Sequence, residues 1–422
     1  MQSPPAPPLT RDRNFLWMMG GGLVSMLGDQ FTLIALPWLV LRMTGDPLVL
    51  GTVLAVMSVP RAAFILLGGA LVDRHSPKRV MMLTKHANTL LLGVLAALVL
   101  THGLTLWMVY ALALGIGLAT AFSIPAGTSM LPHVVAPQQL QAANGLMLTL
   151  RQVTMFIGPL LAGGLIALFA DGGRGLGVAF ALDAFSFALS AWTLAKVQMR
   201  PPAAPAPSGR QPVLAAVASG LRASWNDREL RTCFLYWSAV ALMISGPIQI
   251  ALPMLADTRL GEGAGALGLL MGAHGAGTLA GMMVSSVKPT WRGSRLGRTI
   301  LLVDAIVGAL FIPMGWVQAT WEGAVLLLAI GLLGGFMQVS VFTWIQRRVP
   351  PSMLGRTMSL FMFIFMGLAP VSAAVTGWLM RYVSLGQVFA GSGALLLAIV
   401  AVALVASPMR QVSDDAGGKA AA

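Results

Sequence analysis

A single cysteine, Cys233, is all the thiol the chain carries, which excludes a disulfide framework and any metal site built from cysteines. Five histidines scattered along the sequence do not supply the clustered nucleophile, base or metal ligands that an intramembrane enzyme needs. Charge is scarce too: Asp, Glu, Lys and Arg make up 10% of residues, where a soluble globular domain carries about 25%. An ordinary soluble protein is thereby excluded. No GxxxxGK[ST] loop occurs, so ATP-driven transport by this chain alone is not expected. No stretch between apolar runs is long enough for a soluble signalling domain, which argues against a membrane sensor. Acidic residues number 14 against 27 Lys and Arg. That excess is spread through short loops rather than gathered on a soluble face between aromatics, so it argues for membrane topology and against nucleic acid. No metal, cofactor or enzymatic activity is expected.

What fills the chain instead is apolar sequence, 57% of it. A spanning helix needs about 20 apolar residues to cross a hydrocarbon core about 30 Å thick, and the runs satisfy that requirement about twelve times. The expected fold class is an all-α membrane protein of two six-helix bundles. A tail (1–14) leads into the first bundle (15–198), a Pro- and Ala-rich basic linker (199–229) with a surface helix over Pro212 to Trp225 joins it to the second (230–407), and a tail (408–422) ends the chain. The start is polar and proline-rich with no cleavable signal pattern, so the first span is expected to be kept. Most Lys and Arg fall in alternate loops, Lys85 counted among them, which places both termini in the cytoplasm and the chain in the cell (inner) membrane. The halves also repeat. Ile34-Ala35-Leu36-Pro37 returns as Ile250-Ala251-Leu252-Pro253, Leu50-Gly51 as Leu267-Gly268, and Val135, Pro137 and Leu140 as Val349, Pro351 and Leu354. Such an in-order repeat describes two bundles related by an axis along the membrane normal.

Within the spans, ionisable residues are the candidates for function, because an unpaired charge at mid-membrane costs a few kcal/mol on the most lenient scale. Asp29 and Arg61 fall near the centres of the first two spans, separated by a turn at Met43 to Pro47. Either they form an ion pair that ties two helices, or they serve a transport cavity, and the second is our expectation. Asp29 is the first candidate for proton coupling and Asp304 the second, since a carboxyl alternately buried and wetted binds and releases a proton. Arg151 is a candidate partner for a carboxylate or an anionic substrate. His274 could titrate near neutral pH, although a lone histidine between Ala273 and Gly275 is more often a packed one. Gln30, Gln152, Gln249, Gln338 and Trp344 are candidates for polar or stacking contacts to a substrate, with small molecules, protons and membrane lipids as the expected partners of a monomer.

The loop with Gly69, Asp73 and Arg74, followed by Lys78 and Arg79, resembles the signature loop between the second and third helices of the major facilitator superfamily, with Ser76 and Pro77 where the family usually has Gly and a basic residue. Pro137, Leu140, Ala143, Asn144, Arg151, Gly158 and Pro159, together with Gly28-Asp29 and Ile34 to Trp38, resemble its branch of macrolide-efflux and enterobactin-exporter proteins. The resemblance implies a secondary active transporter that exports an amphipathic drug or metabolite by alternating access, with siderophore export or lipid movement as alternatives. It also implies that the Gly69 to Arg79 loop governs conformational cycling, that Arg151 lines a cavity, and that Asp183 and Asp304 stand on peripheral helices, where a hydrogen-bonded structural carboxylate is the expectation for both, ahead of a functional one. Gly158-Pro159 is similar to the fifth-helix motif of antiporters. Two readings of it stay open, a bending helix, since Pro removes one backbone hydrogen bond, and plain tight packing.

Overall fold

The computed structural model describes residues 9–74, 76–169, 173–199, 222, 225–261, 263–287, 295–349 and 351–412, the side chains of 61–74, 128, 137, 351, 352, 354–356 and 359 excepted. These residues are almost wholly helical. The first helix, α1 (Arg13–Thr44), begins where Asp12 Oδ1 accepts from the backbone N–H of Asn14 and Phe15. It ends at Gly45, whose φ of 63° lets the chain leave the helix at no steric cost. Asp46 then accepts from Leu48 N–H and Pro47 occupies the first position of α2 (Pro47–Arg74), a start pattern that fixes the turn expected from the sequence. After α3 (Pro77–Leu100), α4 (Leu106–Met130), α5 (Leu140–Ala167) and α6 (Gly173–Lys196) comes α7 (Arg228–Gly246), which passes through a π-turn (Pro247–Ala251) into α8 (Leu252–Thr258). The remaining helices are α9 (Ala264–Val287), α10 (Leu296–Met314), α11 (Thr320–Arg348), α12 (Pro351–Gly367), α13 (Ala369–Leu379) and α14 (Leu385–Ala406).

Among the described residues, eleven segments are long and apolar enough to cross a membrane, with α7 through α8 counted as one and Leu360–Leu379 across α12 and α13 as another. The apolar stretch Pro47–Pro60 of α2 adds to them. The protein is therefore a multi-pass membrane protein. Large side chains such as Leu83, Leu90, Phe185 and Val405 are exposed because their solvent is lipid. Trp107, Trp316, Trp321 and Tyr382 are exposed at helix ends, where amphipathic rings anchor a membrane interface.

The described parts of Met1–Leu39 and Val56–Arg210 form one compact unit, and those of Val40–Ala55 and Gln211–Ala422 form another. In the first, α3 packs along α6 and α4. In the second, α9 lies so close to α11 that a Cβ on Gly277 or Gly281 would meet the backbone of Leu328 or Leu332, and one on Gly331 or Gly335 the backbone of His274 or Thr278. Lipid supplies no hydrophobic drive between helices, so such small-residue seams let dispersion do the joining. The first turns of α2 meet α13 in the same way, Gly51 against Ala373 O and Gly377 against Pro47 O. Both copies of the repeated tetrapeptide are buried, Ile34 to Leu36 in one unit and Ile250 to Leu252 in the other. Most of the expected linker and its surface helix, and the ends of both tails, lie outside the described residues.

Candidate functional site

In the first unit, one face of α6 carries Asp183, Ser186, Ser190 and Thr193, spaced three and four residues apart so that they form one stripe. The stripe meets α1 rung by rung in antiparallel order. Thr32 donates to Asp183 Oδ2, Gly28 leaves room for Ser186 and Asp183, Ser190 Oγ donates to Ser25 Oγ (3.4 Å), and Gly21 leaves room for Thr193. Ser186 Oγ also donates to the Asp183 carbonyl at 2.7 Å. A third helix enters here. Lys85 of α3 is 4% exposed, donates to Ser25 Oγ at 3.2 Å and lies over the Phe187 ring at 5.5 Å. The sequence reading counted Lys85 with the cytoplasmic loop; the structure corrects this, because the helix already starts at Pro77 and carries the side chain inward. Asp29, on the adjacent exposed face of α1, acts electrostatically on both Lys85 and Asp183. Three ionisable groups from three helices thus gather around one seam; of them, Lys85 was read from sequence as a loop charge and Asp183 as a structural carboxylate.

The other candidates are more dispersed. Gln30 packs against Gly158, where any Cβ would overlap the Gln30 side chain, and Pro159 is buried inside an unbroken α5. Arg151 is exposed and makes no ion pair among the described residues, while Gln152 is half-buried. In the second unit, Asp304 of α10 accepts from Tyr236 Oη of α7 at 2.7 Å. Gln249 is half-buried in the π-turn, Gln338 is exposed on α11, and His274 offers its carbonyl to Thr278. Trp344 packs in the interior of that unit, edge-on to Trp237, with 2% of its surface exposed. Lys78 Nζ donates to the Ala195 and Val197 carbonyls and so caps the C-terminal end of α6, and Arg79 is exposed. The side chains of Arg61, Gly69, Asp73 and Arg74 lie outside the described residues.

Three further ion pairs, also missed from sequence, sit at helix ends. Arg348, at the end of α11, grips Asp227 with Nε (2.9 Å) and Nη2 (3.0 Å) and Glu229 with Nη1 (2.8 Å), and stacks on Trp344. Asp227 is at once the N-cap of α7, accepting from Glu229 and Leu230 N–H. Burial pushes its carboxyl up, but the hydrogen bonds from Arg348 and those N–H groups more than offset this and hold it below the ordinary value. Arg381, just past α13, donates to Asp46 Oδ2 at 2.5 Å and holds that carboxyl below its ordinary range as well.

Among the described residues no group of His, Cys, Asp and Glu could hold a metal ion. The arrangement offers instead buried and open carboxylates, a buried lysine and close helix seams in a lipid-facing bundle, chemistry suited to moving a solute. Known proteins agree. The chain is 26% identical over 393 residues to the multidrug efflux pump Tap of Mycobacterium tuberculosis, covering 91% of this chain and 90% of that protein. It is 21% identical over 415 residues to macrolide efflux protein A of Streptococcus pyogenes, covering 94% and 97%. The crystal structure of the nucleoside transporter NupG shares the fold at a TM-score of 0.70 and 12% identity, over 92% of this chain and 98% of that one. The model of the Major Facilitator Superfamily matches residues 18–374, and the chain, with its apolar helices and membrane-buried charges, belongs to that family of transporters.

Proposed function

We propose that the protein is a secondary active exporter of amphipathic small molecules, drugs or metabolites, working by alternating access as a proton antiporter. The observation that carries this reading is Asp29, a carboxylate on the exposed face of α1, midway along a helix long and apolar enough to span a membrane. A carboxyl so placed is wetted in one state and enclosed in the other, which is the physical requirement for picking up and releasing a proton. Relatives named for multidrug and macrolide efflux, matched over nine-tenths or more of both lengths, support the outward direction. Asp304, engaged by Tyr236, stands second as a coupling group; Arg61 serves the transport cavity beside Asp29, and Arg151 pairs with a carboxylate or an anionic substrate. Gln30, Gln152, Gln249, His274 and Gln338 line the substrate path, while Gly158-Pro159 and the Gly69 to Arg79 loop serve the conformational cycle. The protein works as a monomer in the inner membrane with both termini cytoplasmic, as the distribution of Lys and Arg supports.

The test is reconstitution into proteoliposomes with fluorescent amphipathic cations as probes. An imposed pH difference drives the probe against its gradient, a protonophore stops it, and Asp29→Asn abolishes it. Transport that persists without any ion gradient would rule out antiport and leave a facilitator.

A further inference from the structure

In the first unit α3 and α6 leave a groove open to the surface. It holds about 450 Å3 between His86 and Thr89 of α3 and Trp192 of α6, and the methyl groups of Ala188, Ala191 and Ala195 are too small to fill it. The open space continues along α3 past Gly93 to Ala97 as a stretch of about 400 Å3 that shares His86 and Thr89 with the first, and nothing lies within 4 Å of where a Cβ on Gly93 would stand. From Met82 to Ala97 the helix rises about 22 Å. One leaflet of a hydrocarbon core is about 15 Å deep, so an acyl chain fits along this track.

Polar groups are layered at one end of the groove. Lys78 Nζ donates to the Ala195 and Val197 carbonyls, Lys196 Nζ rests 5.5 Å from the centre of the Trp192 ring, and Arg79 is exposed. Two rings follow one helical turn deeper, about 6 Å. Trp192 is held edge-on by Trp17 at 5.4 Å, and its indole N–H makes no hydrogen bond among the described residues. His86 leans back one turn, where Nδ1 donates to Met82 O at 2.9 Å. Deeper still, Thr89 turns its hydroxyl onto the Lys85 carbonyl of its own helix, at 2.9 Å, and leaves the rest of the lining apolar. Among the described carboxylates of this unit, Asp12 is 6% exposed and caps α1, while Asp29 and Asp183 lie along the α1–α6 seam, so none is open beside the cations.

We propose that this groove binds one anionic phospholipid. Lys78 and Lys196 hold the phosphate, the Trp192 N–H donates to a glycerol ester carbonyl, and an acyl chain runs along α3 past Gly93. Cations, ring donor and apolar track come in the order of phosphate, ester and chain along a phospholipid, and basic pockets between spanning helices suit anionic head groups. A soluble anion would have no use for the two deeper layers. The site does not depend on the antiport reading.

The test is native mass spectrometry of the full-length protein in detergent, with phosphatidylglycerol, phosphatidylcholine of the same acyl chains, and glycerophosphoglycerol as probes. At about fivefold for each cation near the phosphate, the preference for phosphatidylglycerol over phosphatidylcholine is about 25-fold, and Lys196→Gln lowers it about fivefold. Lys196→Arg restores it, which shows that the site still folds. Trp192→Phe keeps the ring and weakens both lipids by about two- to tenfold, the worth of one hydrogen bond. Gly93→Leu fills the track without touching a charge and weakens both lipids. Arg298→Gln, which removes an exposed cation from another helix, changes nothing. Equal affinity for the two lipids, or indifference to Lys196→Gln, would overturn the proposal. So would a loss in Arg298→Gln as large as in Lys196→Gln, which would leave only general surface charge. Indifference to Gly93→Leu, or glycerophosphoglycerol bound as tightly as the lipid, would overturn it too by showing a free head-group site without an acyl track.

Discussion

Arg348 offers the most quantitative test of what holds the second unit together. Its three hydrogen bonds to Asp227 and Glu229 span 2.8 to 3.0 Å, and the three side chains are 23%, 29% and 31% exposed. Breaking a buried pair costs about 3–5 kcal/mol and breaking an exposed one about 0.2–1. At this intermediate burial we expect Arg348→Gln to lose about 2 kcal/mol after discounting for solvent. The N-cap bonds of Asp227 survive in that variant, so α7 keeps its start. At about 2–4 °C per kcal/mol for a body of this size, the Tm of the detergent-solubilised protein falls by about 4–8 °C. Asp227→Asn keeps the cap and removes the charge, so the double variant should be milder than the sum of the singles by about 1–2 kcal/mol. Acid gives an independent check. The Asp227 carboxyl lies below its unfolded value, so the stability it contributes is complete above about pH 4 and is lost as pH falls through the folded value. The gap between wild type and Arg348→Gln should therefore close in acid. A wild-type Tm, additive singles, or a gap indifferent to pH would refute the reasoning.

Gly28→Ala places a methyl against Ser186 Oγ and Asp183 Oδ1, and overpacking of that kind costs about 1–3 kcal/mol; Gly20→Ala, with nothing within 4 Å of the new carbon, should leave the unfolding temperature unchanged or slightly raised. Equal effects of the two would contradict the rung-by-rung packing of α1 on α6. Arg381→Gln should lower Tm only slightly, by an amount that vanishes at about 1 M salt, because the pair with Asp46 is open to solvent. The depressed Asp46 carboxyl contributes at neutral pH and stops contributing as pH falls through its folded value, so the difference should also disappear in acid.

The helices themselves were legible because a membrane imposes a length, and the turn before α2 because Gly45, Asp46 and Pro47 each have one backbone role there. The place of Asp29 midway along α1 was legible for the same reason, since the length of the apolar run fixes where its centre falls. Lys85 was not: it follows Lys78 and Arg79 closely enough to read as loop charge, and only the helix start at Pro77 turns it toward Ser25. Asp183 carried a signal that went unused, the stripe of Ser186, Ser190 and Thr193 at three- and four-residue spacing behind it. Arg348 and Asp227 lie 121 residues apart, and nothing local in either segment announces the other. Gly158 had two readings in sequence, and its contact with Gln30 shows close approach as one thing it does.

The π-turn at Pro247–Ala251 has a consequence for the seventh span as a lever. A π-turn holds one residue more than an α-helical turn between its bonded groups, and each residue of an α-helix turns the side chain by about 100°. The side chains of α8 are therefore set about 100° out of the phase that a single continuous helix from Arg228 would give them. Removing one residue between Pro247 and Ala251 would restore an ordinary winding, keep the span long enough for the bilayer, and swing the buried Leu252, Leu255 and Ala256 away from their present neighbours. The extra residue is thus a stored rotation, and handing it along the helix by one hydrogen-bond exchange at a time would turn one end of the span against the other while the chain stays helical throughout.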